Sequence, residues 1–547
     1  MSARSRLRSR WFGAVGAALA SALSLAACAI EGELPAGEIG EPGHEHGPGA
    51  ALLVRPDSPN SGLQFRFDPE DVVERHASPG GRFAVHYTRA GRNAVPSADA
   101  DASGVPDFVE EVGTIYDEVL AYYEGELGFR APISDAAASP NGGDDRFDVY
   151  LVDFNGVGDG NYRNDGCLSE NGDRCFGYMI QENDYAGYGY PSTSIANRIL
   201  ASHEFFHAVQ AAYDIGQGGV FAEGTAVWAT EAFDPTLNDF EYFVSGYLSN
   251  PDQPLDTPLP GPVDPFSYGS AIFFQYLEEA HGDGTVRALW EAAENGAGGV
   301  ADPKWLERLD AVLGARSGAT FAEAIVEFAT WNLYTAQYAD PTKAYARGQV
   351  YPRVRIDDVG APYENARLRV YHASSHYFGL APSGRAAMTA ALVPENGDPA
   401  SLEGLTLLLA TQTGAEVGGP VDATNERATI DTASADRLVV YVVNAATGGQ
   451  SKRPGLCAGT PEEVEACVAS LGGGVGAGGG GAGGAGAGGG DAIDGEDDGG
   501  CGCRAVGGSA GTAGGSTDED RFALGVGLAA ALVAARFQRR SRRAKLR

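Results

Sequence analysis

The sequence predicts an α+β protein, with a domain of strands and long helices over residues 61–345 and an all-β domain over 346–455. Three observations carry that expectation. Between about 61 and 190, apolar runs of strand period alternate with one of helical period. Long runs of helical period then dominate as far as residue 337. From about 350 to 450 the pattern reverts to short β runs with turn residues between them, the spacing of a β-sandwich.

The elements follow in order. Residues 29–60 hold Pro, Gly and Glu with little periodicity and read as a linker or short pro-segment. RFAVHYT at 82–88 alternates as a strand does. From 106 to 126 one helical stripe contains Phe108, Val109, Val112, Ile115, Tyr116, Val119 and Leu120. FDVYLV at 147–152 and FGYMIQ at 176–181 are strands. Helices are expected at 194–213, 221–233, 268–280, 302–314 and 320–337, and β runs at 368–372, 405–410 and 438–443. Residues 456–500 read as a Gly-rich stalk, since 472–490 alone hold 14 Gly in 19 positions and such a segment buries no core.

The 547 residues carry 39 Lys+Arg against 73 Asp+Glu, a formal charge of −34. That balance excludes a nucleic-acid binder, which needs a basic surface to neutralise phosphates, and it suits Ca²⁺, a hard cation that takes oxygen ligands. Both ends speak of export. Arg4, Arg6, Arg8 and Arg10 precede an apolar run and then Leu25-Ala26-Ala27-Cys28, a secretory signal whose end resembles the lipobox of bacterial lipoproteins. Residues 1–28 are therefore expected to be a lipoprotein signal peptide. At the other end stand Cys501, Cys503, an apolar stretch at 522–535 and a cluster from Arg539 to Arg547. This order resembles the C-terminal sorting signals of myxobacterial surface proteins, so 501–547 is expected to be a sorting or anchor segment. The resemblance implies display at the cell surface or outer membrane through the lipid or the C-terminal anchor, with extracellular release as a further outcome.

Seven Cys fit an oxidising compartment. With Cys28, Cys501 and Cys503 set aside, Cys167, Cys175, Cys457 and Cys467 allow three pairings. The local ones, Cys167–Cys175 and Cys457–Cys467, are expected.

The chemistry centres on His203-Glu204-Phe205-Phe206-His207, within a helical run. Residues i and i+4 share one helix face, so the spacing brings two imidazoles onto one Zn²⁺ and sets Glu204 beside a metal-bound water. A catalytic zinc takes a third protein ligand and keeps one position open. Glu223, 16 residues after His207 in Phe221-Ala222-Glu223-Gly224-Thr225-Ala226-Val227-Trp228, opens a second helix and is the candidate. Glu231, 24 residues after His207, is the fallback.

HEFFHAVQ followed by AEGTAVW resembles the gluzincin pattern of HExxH plus Glu-Gly-x-Ala, and more closely the HExxHAxQ and EGxAxW pattern of secreted myxobacterial metalloproteases. The likeness spans about residues 81–280. It implies a zincin-like catalytic domain, zinc on His203, His207 and Glu223, and Glu204 as general base and acid. The gap of 16 is a few residues shorter than in the aminopeptidase-like enzymes. The run Pro265-Phe266-Ser267-Tyr268-Gly269 is similar to their Tyr-x-x-Gly helix, but the aligned slot holds Phe266. Tyr268 is the nearest hydroxyl and the candidate to stabilise the oxyanion; His281, at a helix end, is a weaker one. The resemblance further implies that the strand before the active-site helix, 176–181, offers its edge to an extended substrate. No Gly-x-Met-Glu-Asn motif is present to hold a free amino terminus.

A second metal pattern lies at 99–110. Asp99, Asp101, Ser103, the Val105 carbonyl, Asp107 and Glu110 occupy the ligand positions of an EF-hand-type loop, with Gly104 at the turn, so a structural Ca²⁺ is expected. Pro106 at the eighth position speaks against EF-hand pairing. Asp144, Asp145, Asp153, Asp159 and Asp165 read as a disulfide-pinned surface loop, and His44-Glu45-His46 as part of the linker. The function expected is a surface-attached, monomeric zinc endopeptidase acting on protein or peptide substrates. The alternative is a non-catalytic, metal-binding surface adhesion protein.

Overall fold

Five strands form the first sheet: β1 (Glu74–Ala77), β2 (Phe83–Tyr87), β3 (Phe147–Val152), β4 (Gly160–Leu168) and β5 (Asn171–Glu182), in the order β1-β2-β3-β5-β4. The computed structural model describes residues 54–472 apart from 60, 137, 169–170, 261–263, 295–302 and 424–425. The readings placed on 1–28, on His44-Glu45-His46 and on 501–547 lie outside the described residues. β2, β3 and β5 run parallel, and the outer β1 and β4 are antiparallel to their neighbours.

The sheet is covered on both faces, which is why β3 reads as a continuous apolar run. Val149, Leu151 and Met179 face α1 (Asp107–Gly125) and α2 (Thr193–Ala211), while Tyr150, Val152, Tyr178 and Ile180 face Phe65, Phe67 and Phe154. The predicted stripe of α1 is buried from Phe108 to Leu120, and each such side chain contributes about 1.5–3 kcal/mol.

Helices follow: α3 (Gly219–Phe233), α4 (Phe240–Phe243), α5 (Ser245–Leu248), α6 (Pro265–Gly269), α7 (Ala271–His281), α8 (Thr285–Ala293), α9 (Trp305–Arg316) and α10 (Phe321–Trp331). Phe221 of α3 stacks between Trp290 and Trp305, with centroids at 4.1 and 5.1 Å, joining α3 to α8 and α9. α10 begins at a capping box, Thr320 with Glu323.

The last part is a two-sheet sandwich. Its strands are β6 (Asp357–Val359), β7 (Tyr363–Asn365), β8 (Ser374–Leu380), β9 (Ala387–Val393), β10 (Leu405–Thr413), β11 (Glu416–Asp422), β12 (Arg427–Asp431), β13 (Arg437–Asn444) and β14 (Gly455–Gly459). They form sheets of order β11-β10-β13-β8-β6 and β12-β9-β14-β7. Leu438, Val440 and Val442 of β13 face the second sheet, and the alternate Val439, Tyr441 and Val443 join the core of the helices. Tyr441 meets Thr330 Oγ1 at 3.0 Å, and Tyr377 donates to the Ala329 carbonyl at 2.8 Å, so two tyrosines of the sandwich satisfy groups of α10.

The protein is thus a mixed α and β structure with three sheets among the described residues, and several sequence expectations are corrected. Residues 160–168 form a strand, β4, where a surface loop was expected, and this strand rather than β5 is the sheet edge. Of residues 368–372 only Val370 pairs, in a single bridge to Lys452; the strand is β8, just beyond. The folded part passes residue 455, because β14 lies between β9 and β7 and is followed by α11 (Pro461–Gly472). The stalk therefore does not begin at 456. Nor is the linker unstructured up to 60, since Arg55 is fully buried among Asp135, Asp148 and Asp165. Both disulfides, Cys167–Cys175 across the β4–β5 hairpin and Cys457–Cys467 between β14 and α11, are present. No helix among the described residues is long and apolar enough to cross a membrane.

Candidate metal centre

α2 carries His203, Glu204 and His207. Ser192 caps it, accepting from the Ile195 N–H at 3.2 Å. Most of the helix is buried between the sheet and α3, but Ile195, Ile199 and His207 keep partial exposure, and His203 lies on the same i, i+4 stripe. That stripe turns its polar atoms toward Glu223, one turn into α3.

Glu223 Oε2 lies 3.2 Å from His203 Nε2 and 3.6 Å from His207 Nε2. Tetrahedral zinc with bonds of roughly 2.0–2.2 Å separates its ligand atoms by about 3.3–3.5 Å, so this arrangement fits the metal. On its other side α3 packs closely on α7 at Gly224, where a Cβ would sit 2.1 Å from Ser270 Oγ and 2.6 Å from Phe274. Burial pushes the Glu223 carboxyl up, yet the two imidazoles outweigh that and hold it well below the carboxylate range. Burial depresses His207 in turn, and Glu223 overrides it, raising the imidazole to about 9.

Glu204 also falls within 4.8 Å of both imidazoles, but one of its oxygens is already used. Its Oε2 accepts from the Tyr162 N–H of β4 at 3.2 Å, and Glu204 is only 4% exposed. Glu223 is therefore the better placed of the two to join the histidines around a metal, and Glu204 stands beside it against the edge strand. Burial raises the Glu204 carboxyl, with Glu223 and Asp159 adding to the effect against the pull of the two histidines. β4 reaches this position because it opens with Gly160, where a Cβ would lie 2.6 Å from Leu200 of α2.

Two polar residues that sequence reasoning gave no role support the histidines. His207 Nδ1 bonds Gln210 Oε1 at 2.8 Å, and Gln210 Nε2 donates to the Ala222 carbonyl at 2.7 Å and to Thr225 Oγ1 at 3.0 Å. The Ala222 carbonyl fixes which end of the amide faces it, so Oε1 must face the imidazole. His207 Nδ1 therefore donates to Gln210, which leaves Nε2 as the nitrogen that faces Glu223. Thr225 Oγ1 also accepts from Trp290 Nε1 at 3.3 Å. The HAxQ run held the only signal for Gln210, one turn beyond the second histidine.

Tyr268 lies nearly parallel to the His203 ring, 5.7 Å away between centroids. Burial first, and then Glu223 and Glu204, raise the Tyr268 hydroxyl well above its usual value. Phe266 is fully buried and packs on Tyr247. His281 is away from the site and bonds Tyr276 and Ser317. Glu231 is paired with Arg347, which also holds Glu241.

In the loop at 99–110, Asp99, Asp101 and Asp107 place carboxylate oxygens within 4.8 Å of one another. Gly104 takes a φ of 89° at the turn. Ser103 Oγ lies 3.3 Å from the Val105 carbonyl, and Glu110 stands outside the carboxylate group. The acids of the later loop do not gather: Asp144 pairs with Arg75, Asp165 with Arg55, and Asp159 accepts from Tyr190 Oη at 2.5 Å.

The chain matches no model of a known protein family, and no curated protein matches it.

Proposed function

We propose that this chain is a zinc-dependent endopeptidase of zincin-like fold, exported and held at the cell surface. The observation that carries the reading is Glu223 Oε2 lying 3.2 and 3.6 Å from the Nε2 atoms of His203 and His207, with Glu204 alongside. His203, His207 and Glu223 would hold Zn²⁺, and the metal supplies Lewis acidity, acidifying water in its open position and polarising a carbonyl.

The rest falls to the protein. Glu204, with its carboxyl raised by burial, takes the proton of the attacking water and delivers it to the leaving amine. The Tyr162 N–H steadies the Glu204 oxygen that is not needed for that transfer. The outer side of β4 carries no strand among the described residues, so the substrate main chain lies along it, an extended peptide added to the sheet next to Glu204. Tyr268, whose ring lies parallel to that of His203 at 5.7 Å, donates to the developing oxyanion. The loop with Asp99, Asp101, Ser103, Val105, Asp107 and Glu110 takes a structural Ca²⁺ at the start of α1.

The test is hydrolysis of internally quenched peptides blocked at both ends. Cleavage at internal bonds, lost with 1,10-phenanthroline and restored by zinc, is expected. Cleavage that survives metal removal contradicts the proposal.

A further inference from the structure

Along α2, on the N-terminal side of His203, lies a cavity of about 210 Å³. Ile195 and Ile199 form one wall, eight and four residues before His203 on the same helix stripe. Tyr188 and Tyr190 come from the segment before α2, Asp239 from the turn after α3 and Tyr242 from α4. The volume is below the roughly 300–1,000 Å³ that holds a drug-sized ligand, so it suits a single side chain.

Asp239 is only 8% exposed, and its carboxylate has no hydrogen-bond or ion-pair partner among the described residues. Arg347 is engaged by Glu231 and Glu241 instead. A second carboxylate, Asp159, is 3% exposed and receives the Tyr190 hydroxyl. The imidazole of His203, which acts on both acids from nearby, is turned toward Glu223. A buried carboxylate left unpaired is costly, and a cation entering the cavity would relieve that cost. Tyrosine faces suit such a cation, and isoleucines suit the aliphatic stem that carries it.

We propose that this cavity is a specificity pocket for a Lys or Arg side chain flanking the scissile bond, with Asp239 as its counter-ion. The assignment rests on reading the adjacent centre as a peptidase. An N-terminal ammonium offers the same charge without the stem, and the test separates the two sources.

The test uses the full zinc-loaded chain and N-acetylated peptides that differ only by Arg, Lys or Leu at one position. Matching peptides present a free amino terminus there instead. The expected result is a kcat/KM for Arg and Lys at least about tenfold above Leu, with Asp239→Asn cutting that ratio by about tenfold or more. A second measurement needs no turnover: agmatine binding, followed by calorimetry, to the Glu204→Gln chain with and without Asp239→Asn. Agmatine binding that depends on Asp239 supports the pocket even if no peptide is cleaved, in which case the peptidase reading alone falls. Cleavage indifferent to Arg, Lys and Leu, together with no agmatine binding, overturns the pocket and leaves the peptidase reading standing. Preference for the free amino terminus over the Arg peptide overturns the side-chain assignment.

Discussion

Gln210 accepts from His207 Nδ1 at 2.8 Å and, through its other amide atom, ties that histidine to the Ala222 carbonyl of the helix bearing Glu223. One side chain therefore orients His207 and links the two helices that carry the proposed zinc ligands. Outer partners of this kind typically account for 10–100-fold in metal affinity. Gln210→Ala is expected to weaken zinc binding by about that factor, read by competition with a chromophoric chelator. Unchanged affinity would show that the amide only fills space.

Glu223→Ala and Glu231→Gln separate the two candidate third ligands. The first is expected to lose stoichiometric zinc while remaining folded. The second is expected to keep zinc and to lose about 1–3 kcal/mol of stability in urea, because it weakens a buried carboxylate's bond to Arg347. Zinc lost from Glu231→Gln and kept by Glu223→Ala would reverse the assignment.

How much of this was legible follows from where the information lies. The spacing of His203 and His207 and the apolar stripe of α1 are local, and local periodicity survives in the bare sequence. β4 was missed because GNYRNDGCL has few apolar residues and two glycines; pairing with β5 and contact with α2 hold it, and both are remote in sequence. For the same reason the edge strand was assigned to the apolar β5. Residues 368–372 alternate convincingly, yet the chain there crosses between the sheets. The choice between Glu223 and Glu231 depended on Arg347, more than a hundred residues away, and only folding brings that arginine to Glu231.

The loop at 99–110 is expected to bind Ca²⁺ and to stabilise the chain. At a free concentration 100 times its Kd the gain is about 2.7 kcal/mol, visible as a rise in the unfolding midpoint on Ca²⁺ addition. Asp101→Asn should remove most of that rise without altering zinc content. A midpoint indifferent to Ca²⁺ in the wild type would contradict the assignment.

His372 of the segment before β8 bonds Asp256 of the helical region at 2.7 Å. That bond chiefly raises the imidazole, while Asp256 is held low by His372 against the upward effect of its own burial. A raised histidine contributes its full stability below its unfolded value near 6.5 and loses it as the pH climbs through the folded value. The lowered aspartate contributes above about 3.9 and loses its share as the pH falls through the folded value. The pair is therefore strongest between about pH 4 and 6.5. Partial exposure limits it to about 1 kcal/mol or less. The wild type is expected to lose its margin over His372→Gln as the pH rises above about 6.5 in urea unfolding; a margin independent of pH would show that the contact is packing alone.

The central claim is tested most directly by measuring zinc content and casein cleavage on the wild type and Glu204→Gln together. The expected result is one zinc per chain in both, with cleavage only in the wild type. Folded protein without zinc would contradict the metal centre, and equal cleavage by both would contradict the role of Glu204.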